Sequence, residues 1–324
     1  MQGILNDSLR RCLGLPPSSP IHVRYALAGE LPPLRRAEWL AAKELGKQWL
    51  NNENIRAGLS VGGLGKCSYS FMYNKYRSLF DKIDYNTKFK KHKYFEVVGS
   101  SLCGSKRNYN SDQLKSMVLA RFNDLKNEDF YLIATDASVT ERVTGMAFYD
   151  PQRNSANLFK INDTFSSTYG ELIAIWQAVL FLTANNVRKW AIITDSLASI
   201  RLLEKSRTSN FIVAAIHNRI ASSACECARV MWVPSHVGIG LNEKADCYAK
   251  AAVGNGSFLR VKLTLGEVLC QIRKQIWSEW ENEFTVLSTT KGRFFADNID
   301  DIKKPPWFRD KKCDLNVYDI KLIN

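Results

Sequence analysis

Between residues 128 and 254, apolar and polar positions alternate in blocks that predict a regular series of strands and helices. The predicted strands lie at 130–135, 143–149, 156–161, 190–194 and 229–233, and the predicted helices at 168–184, 196–205, 209–223 and 242–252. The first three strands are joined by short polar links, which is typical of an antiparallel meander. The helix over 168–184 is apolar almost all round, so we expect it to be buried. The order β-β-β-α-β-α-β-α predicts an α/β domain, in which helices flank a mixed five-stranded sheet.

The flanking sequence has weaker patterns. Helices are predicted over 33–50, 71–80 and 263–284, and a glycine- and asparagine-rich loop over 51–67. We therefore expect three regions. Residues 1–127 form a basic, partly helical connector, 128–254 the α/β domain, and 255–324 a helical C-terminal extension.

Two predicted strands end in the same way, with Thr-Asp followed by a small residue. Asp136 follows the strand 130–135, and Asp195 follows the strand 190–194. If these strands are neighbours, both carboxylates reach one edge of the sheet, where open α/β sheets bind ligands. The alternative for Asp136 alone is that it caps the turn just outside the strand.

Two further acids lie on predicted helices. Glu171 shares a helix face with apolar residues, so its charge needs a partner, although an acid near a helix N-terminus is also favourable by itself. Asp246 lies near the start of the last helix of the domain, where Asn242 is a candidate N-cap. An aspartate in a first helical turn is common without any function.

Taken together, the four acids predict a metal centre. Four converging carboxylates would repel each other and raise each other's pKa values unless cations hold them. Hard oxygen ligands favour two Mg²⁺ or Mn²⁺ ions over zinc. The predicted metal ligands are Asp136, Glu171, Asp195 and Asp246.

These acids and one segment resemble the type 1 ribonuclease H family. The most specific match is Trp232-Val233-Pro234-Ser235-His236-Val237-Gly238-Ile239, followed by Asn242-Glu243-Lys244-Ala245-Asp246. The resemblance covers about 128–254 and implies a ribonuclease H-like fold. The Thr-Asp-Ala-Ser variant at Asp136 is similar to non-LTR retrotransposon polyproteins. Residues 28–36 and 277–280 resemble the segments that flank the domain in such elements, and no Tyr-x-Asp-Asp polymerase motif is present.

The resemblance implies a reaction and a role for each position. The expected function is a metal-dependent endonuclease that cuts the RNA strand of an RNA–DNA hybrid and leaves 5′-phosphate and 3′-hydroxyl ends. Asp136 would contact both metal ions, Asp195 and Asp246 would complete one ion's site, and Glu171 would complete the other and contact a ribose 2′-hydroxyl. His236 would assist proton transfer or product release. Ser196 and Thr168 are weaker candidates for contact with the nucleic acid.

The chain departs from the family pattern at Leu241, where a glycine is usual. If that position needs a positive φ, we expect strain at Leu241 and a displaced His236 loop. The basic helix of some family members is also missing between Asp195 and Val230. Substrate would then be held elsewhere.

The distribution of charge along the chain indicates which region could hold the substrate. The net charge of +13 is concentrated in residues 1–127, with 21 Lys and Arg against 10 Asp and Glu, whereas residues 128–254 have 12 of each. A basic flank beside a neutral domain indicates a polyanionic partner, because lysines and arginines release counterions from phosphates. The densest group is Lys88, Lys90, Lys91 and Lys93, interleaved with aromatic residues. The alternative is a solvated basic surface.

The cysteines and the lengths of the apolar stretches indicate the kind of protein to expect. Eight cysteines without a C-x-x-C motif or a secretory signal predict reduced thiols in an intracellular, nuclear or cytoplasmic protein. No apolar stretch is long enough to predict a membrane span. A reverse transcriptase domain in the same polyprotein is an expected partner. The alternatives to the enzyme are a catalytically inactive, nucleic-acid-binding relic of the domain and another nuclease or integrase of the same broad fold.

Overall fold

The computed structural model of the chain describes residues 2–62, 68–85, 95–98, 110–205, 210–299 and 301–304. The helices in this part are α1 Gln2–Cys12, α2 Ile21–Ala28, α3 Pro33–Asn51, α4 Glu53–Ser60, α5 Ser68–Phe80, α6 Ser111–Asn127, α7 Ser167–Ala184, α8 Leu197–Leu203, α9 Phe211–Ala221, α10 Gly240–Asn255, α11 Leu265–Thr290 and α12 Arg293–Ala296. The strands are β1 Phe95–Val98, β2 Tyr131–Val139, β3 Thr144–Asp150, β4 Ser155–Ile161, β5 Lys189–Thr194, β6 Cys227–Trp232 and β7 Ser257–Phe258. The chain divides into two compact units, Met1–Asp81 with Leu269–Asn324, and Lys82–Val268.

The first unit is helical. Its core contains fully buried side chains from α3 and α5, among them Leu45, Tyr73 and Phe80. The prediction of a loop over 51–67 is wrong for its first part, because α4 occupies Glu53–Ser60. The side chain of Asn52 accepts a hydrogen bond from the Ile55 backbone and caps this helix. An asparagine before a helix and an asparagine in a loop look alike in sequence.

The second unit is α/β. Its mixed sheet has the strand order β1-β6-β5-β2-β3-β4-β7. The meander β2-β3-β4 is antiparallel, and β2, β5 and β6 are parallel neighbours. The predicted element order over 128–254 is therefore confirmed. The sheet is wider than the five predicted strands, because β1 pairs with β6 and the two-residue β7 pairs with β4.

Helices cover both faces of this sheet. Ala134 of β2 lies in an apolar cluster with Val118 and Phe122 of α6 and Ala245 of α10. Ala137, three residues further along β2, lies against α7 at Gly170. Since successive side chains of a strand point to opposite faces, α6 and α10 cover one face and α7 covers the other.

The compact α/β unit is larger than the predicted domain of 128–254. Helix α6 precedes residue 128, but Val118, Phe122 and Leu125 are buried with residues of β2, β5 and β6. Their spacing of four and three residues places them on one helix face. The core of the sheet thus requires residues that the sequence assigned to a connector.

Two other expectations concern cysteines and membranes. Five of the eight cysteines lie in described residues, and these five are free thiols. In the part of the chain that the structure describes, the helices are too short or too polar to span a lipid bilayer.

Candidate metal centre

Asp136 and Asp195 meet at the carboxyl end of two parallel strands. The pairing of β2 with β5 runs from Tyr131 to Ala134, so Asp136 lies just beyond the last paired residue on that side. Asp195 directly follows Thr194, the last residue of β5. The sequence placed Asp136 at the end of its strand, but β2 continues to Val139 through pairing with β3. The edge it shares with Asp195 is the expected one.

Glu171 reaches the same edge from the second turn of α7. Helix and strand approach closely here because Gly170 has no side chain, and a Cβ atom at that position would lie 2.9 Å from the Cβ of Ala137. One carboxylate oxygen of Glu171, Oε1, accepts a hydrogen bond from the Ala137 backbone at 3.1 Å. The other, Oε2, is buried and has no hydrogen-bond partner among the described residues. Gly170 therefore allows α7 to approach β2 so closely that Glu171 lies beside Asp136 and Asp195.

These three side chains form a compact acidic group. Asp136, Glu171 and Asp195 each offer a carboxylate oxygen, and these oxygens lie within 4.8 Å of one another. Asp136 is 7% exposed, Glu171 is 6% exposed, and Asp195 is half-buried. None of the three forms a salt bridge with a lysine, arginine or histidine among the described residues. The group is close enough to bind a metal ion, and the free Oε2 of Glu171 fits that use.

Burial and mutual repulsion change the acidity of the group. Burial, followed by the charge of Asp195, raises the pKa of Asp136 to about 6. Burial and then the charge of Asp136 raise the pKa of Glu171 well above its usual value. A divalent cation would offset both effects, since it favours the charged carboxylates.

Asn242 is a site residue that the sequence did not identify. Its Nδ2 donates to Oδ2 of Asp195 at 3.2 Å, and its side chain is buried. The prediction that Asn242 caps the helix is wrong, because α10 begins two residues earlier, at Gly240. Trp232 Nε1 also donates to the backbone carbonyl of Asp195, at 3.1 Å. Both contacts hold Asp195 at the end of β5.

Asp246, the fourth predicted ligand, lies outside this group of three. It is half-buried on α10, and its Oδ2 accepts a hydrogen bond from Lys250 Nζ at 2.7 Å. Its charge nevertheless contributes to the raised pKa of Asp136. A lysine four residues after an aspartate is a natural helical partner. Participation of Asp246 in the metal centre stays a prediction.

His236 is exposed in the loop between β6 and α10. The expected strain at Leu241 is absent, because Leu241 lies within α10 and packs partly buried against the core of the sheet. The positive φ angles of this loop occur instead at His236, with φ 57°, and at Gly238, with φ 77°. The sequence pattern located the loop correctly but assigned its unusual backbone to the wrong residue.

The weaker candidates have local structural roles. Ser196 caps α8, since its Oγ accepts from the Ser199 backbone and lies 2.8 Å from Ser199 Oγ. Thr168 is half-buried in the first turn of α7. Lys88, Lys90, Lys91 and Lys93 lie outside the described residues, so their contact with nucleic acid stays a prediction.

The start of α7 is fixed by another acid that the sequence did not identify. Glu267 is 3% exposed, and its carboxylate accepts hydrogen bonds from the backbone and Oγ of Ser166, the latter at 2.7 Å. Tyr169 donates to the carbonyl of Lys262 at 2.7 Å. Residues beyond 254 thus anchor the helix that carries Glu171.

Comparison with known proteins adds no relative. No known protein family has a model that matches this chain, and no curated protein sequence is significantly similar to it.

Proposed function

We propose that this chain is a metal-dependent endonuclease of the ribonuclease H type, which cuts the RNA strand of RNA–DNA hybrids. The observation that carries the proposal is the group Asp136, Glu171 and Asp195, with its oxygens within 4.8 Å of one another and with no basic partner among the described residues. Such a group is unfavourable in a protein without cations, and perturbed acids at the carboxyl edge of a parallel sheet are typical of functional sites. The strand order β4-β3-β2-β5-β6 supports a ribonuclease H-like fold.

The residues present fit Mg²⁺ or Mn²⁺. Asp136, Glu171 and Asp195 would hold the ion, and Asp246 would join them after release from Lys250. When bound, divalent ions supply a water of lowered pKa and stabilise negative charge on a reacting phosphate. Asn242 Nδ2 donates to Asp195 Oδ2 and so restricts the orientation of this carboxylate.

The other residues would act on the substrate. His236 is exposed, and its ring nitrogens can accept or donate a proton next to the reacting phosphate. Glu171 would contact the ribose 2′-hydroxyl, the group by which a protein tells RNA from DNA. The excess of basic residues in 1–127 favours a polyanionic substrate.

A second candidate is a domain that binds hybrids without cutting them. One observation favours it, namely the ion pair between Asp246 and Lys250, which keeps the fourth predicted ligand engaged. An inactive copy would retain the fold and the basic surface. Loss of hydrolysis with retention of hybrid binding would identify this alternative.

The test is cleavage of four substrates in parallel, with and without Mg²⁺, namely hybrid, duplex RNA, duplex DNA and single-stranded RNA. We expect cutting of the RNA strand of the hybrid only, and only with the metal ion. Asp136→Asn should reduce the rate more than about 100-fold, because even the loss of a residue that merely supports a metal ligand costs about 10- to 100-fold. Glu141→Gln makes the same change of charge at an exposed position and should leave the rate unchanged.

The outcomes separate the candidates. Hybrid cleavage that is equal in wild type and Asp136→Asn would refute the metal centre. Hybrid binding without cleavage, under all metal conditions, would replace the enzyme by the binding domain. Cleavage of duplex DNA at the same rate would show that the 2′-hydroxyl is not recognised.

A further inference from the structure

Helix α6 precedes the predicted nuclease domain in the sequence, but it packs into the apolar core on one face of the sheet. Val118 and Phe122 are buried in the same apolar cluster as Ile239, the last residue of the His236 loop, and Ala245, in the second turn of α10. The N-terminus of α6 has a capping box between Asn110 and Gln113. The first turns of this helix are therefore well ordered beside the loop that joins β6 to α10.

Lys115, in the second turn of α6, lies against this loop at Gly238. A Cβ atom at Gly238 would lie 3.3 Å from Lys115 Nζ, 3.8 Å from its Cε and 3.9 Å from its Cδ. The aliphatic stem of the lysine therefore runs over the glycine. Gly238 also has a φ of 77°, which other residues rarely adopt. The loop thus has a glycine at the point where the lysine crosses it.

Lys115 has no acidic partner in the part of the chain that the structure describes. The side chain is half-buried, and it forms no hydrogen bond or salt bridge with any residue in the described ranges. Lysines of this chain that lie close to acids do form such pairs, as Lys250 does with Asp246 and Lys75 with Glu279. An ammonium group that is held in place without a carboxylate is suited to a phosphate, which it binds as a point charge.

We propose that Lys115 binds a backbone phosphate of the nucleic acid beside the His236 loop, which makes α6 part of the substrate-binding surface. The proposal rests on the proposed nuclease function and assigns to it a residue from outside the predicted domain. His236 is exposed in the same loop, two residues before Gly238, so a phosphate on Lys115 would contact the loop that carries this imidazole. Lys115 is a substrate-binding residue in this scheme and takes no part in bond breaking.

The test is binding of an RNA–DNA hybrid to the full chain over a range of salt concentrations. Asp136→Asn serves as the parent, in Mg²⁺, so that substrate is not consumed. Lys115→Met keeps the length of the stem and removes the charge. It should weaken binding at low salt about 10-fold and reduce the slope of log affinity against log salt by about one. Lys115→Arg should restore most of the affinity and the slope.

A matched control lies on the same helix. Lys126 is exposed near the other end of α6, about 16 Å away for eleven helical residues. Lys126→Met removes the same charge from the same element and should leave the salt slope unchanged. In the wild-type background, Lys115→Met should raise KM for the hybrid with little change in kcat. A purely structural role would change the melting temperature instead.

The outcomes are distinct. Unchanged affinity and slope in Lys115→Met, with a parent that binds hybrid, would overturn the assignment of Lys115 and leave the proposed function intact. An equal loss in Lys126→Met and Lys115→Met would also overturn it, because the effect would then be one of net charge alone. If the parent binds no hybrid and the wild type cuts none, the proposed function fails and this assignment fails with it. If Lys115→Met is unstable, Lys115→Gln provides a second neutral variant for the same measurement.

Discussion

Two groups of acids in this chain have opposite electrostatic surroundings. In the helical unit, Glu38 of α3 is bound by Arg35 at 2.9 Å and by Lys75 of α5, and Lys75 also binds Glu279 of α11 at 2.8 Å. In the α/β unit, the acids Asp136, Glu171 and Asp195 face one another without such cations among the described residues. The first group links three helices, whereas the second is a concentration of like charge.

The pKa values follow this difference. Burial by itself would raise the pKa of Glu38, but hydrogen bonds from Lys75, Tyr76 and Arg35 lower it below its usual value. Burial raises the pKa of Asp136 to about 6, and the charge of Asp195 adds to the effect. One group therefore stabilises the fold at neutral pH and the other destabilises it. A fold retains such a destabilising group where a ligand compensates for it.

The largest expected effect is a loss of stability of the metal-free protein between about pH 4 and pH 6, by up to about 3 kcal/mol from Asp136 alone. The sign follows from the raised pKa. In this range the folded state keeps a proton that the unfolded state has released, so the free energy of unfolding falls as the pH rises. The measurement is the urea midpoint at pH 4.5 and pH 7.5, in wild type and in Asp136→Asn. The loss should be smaller in Asp136→Asn, and Mg²⁺ should reverse it in wild type only.

The same loss in both proteins would show that the acidic group does not control stability. The lowered pKa of Glu38 works in the opposite direction, with stability lost as the pH falls. The comparison of wild type with Asp136→Asn removes that contribution, because Glu38 is unchanged in both.

The next largest effect concerns the paired group. Glu38→Gln should lower the free energy of unfolding by about 2 kcal/mol, because hydrogen bonds to charged groups contribute about that much. Hybrid cleavage should be unchanged. The control is Glu44→Gln on the same helix, whose ion pair with Lys47 is exposed at both ends, so this substitution should lower stability much less than Glu38→Gln. Equal effects of the two substitutions would mean that the Glu38 network has no special role.

The smallest expected effect concerns Lys250, which pairs with Asp246 on α10. Lys250→Met removes the partner of Asp246, and since Lys250 is largely exposed, the melting temperature should hardly change. Affinity for Mg²⁺, measured by calorimetry, should rise if Asp246 is a ligand once released. Lys244→Met, on the same helix, is the control for charge. An unchanged Mg²⁺ affinity in Lys250→Met would remove Asp246 from the metal centre.

Most strands of the sheet, and the acids Asp136, Glu171 and Asp195, could be predicted from the sequence for a physical reason. Strands that are buried on both faces give continuous apolar runs, and β2 and β5 are such runs. An aspartate directly after such a run is then conspicuous, as Asp136 and Asp195 are. Glu171 could be identified because it is a charged residue in a helix that is otherwise almost entirely apolar.

The features that the sequence analysis did not identify mostly depend on three-dimensional geometry, which a single sequence does not reveal. Asn242 looks like a cap, and its contact with Asp195 depends on where α10 begins and how β5 lies beside it. Helix α6 did carry a signal, the capping residues Asn110 and Gln113 followed by apolar residues at 114, 118, 122 and 125. β1 has only four residues, too few for a periodic pattern.

The contacts of Glu267 with Ser166 and of Tyr169 with Lys262 bear on how a fragment with the acidic group could be cut from the chain. A fragment that ends at residue 254, where the sequence resemblance stops, would leave the backbone N–H and Oγ of Ser166, the N-cap of α7, without their acceptor Glu267. Addition of fourteen residues, to Val268, restores both anchors. The compact unit Lys82–Val268 contains both anchors, so a fragment meant to keep Glu171 in place should extend to Val268.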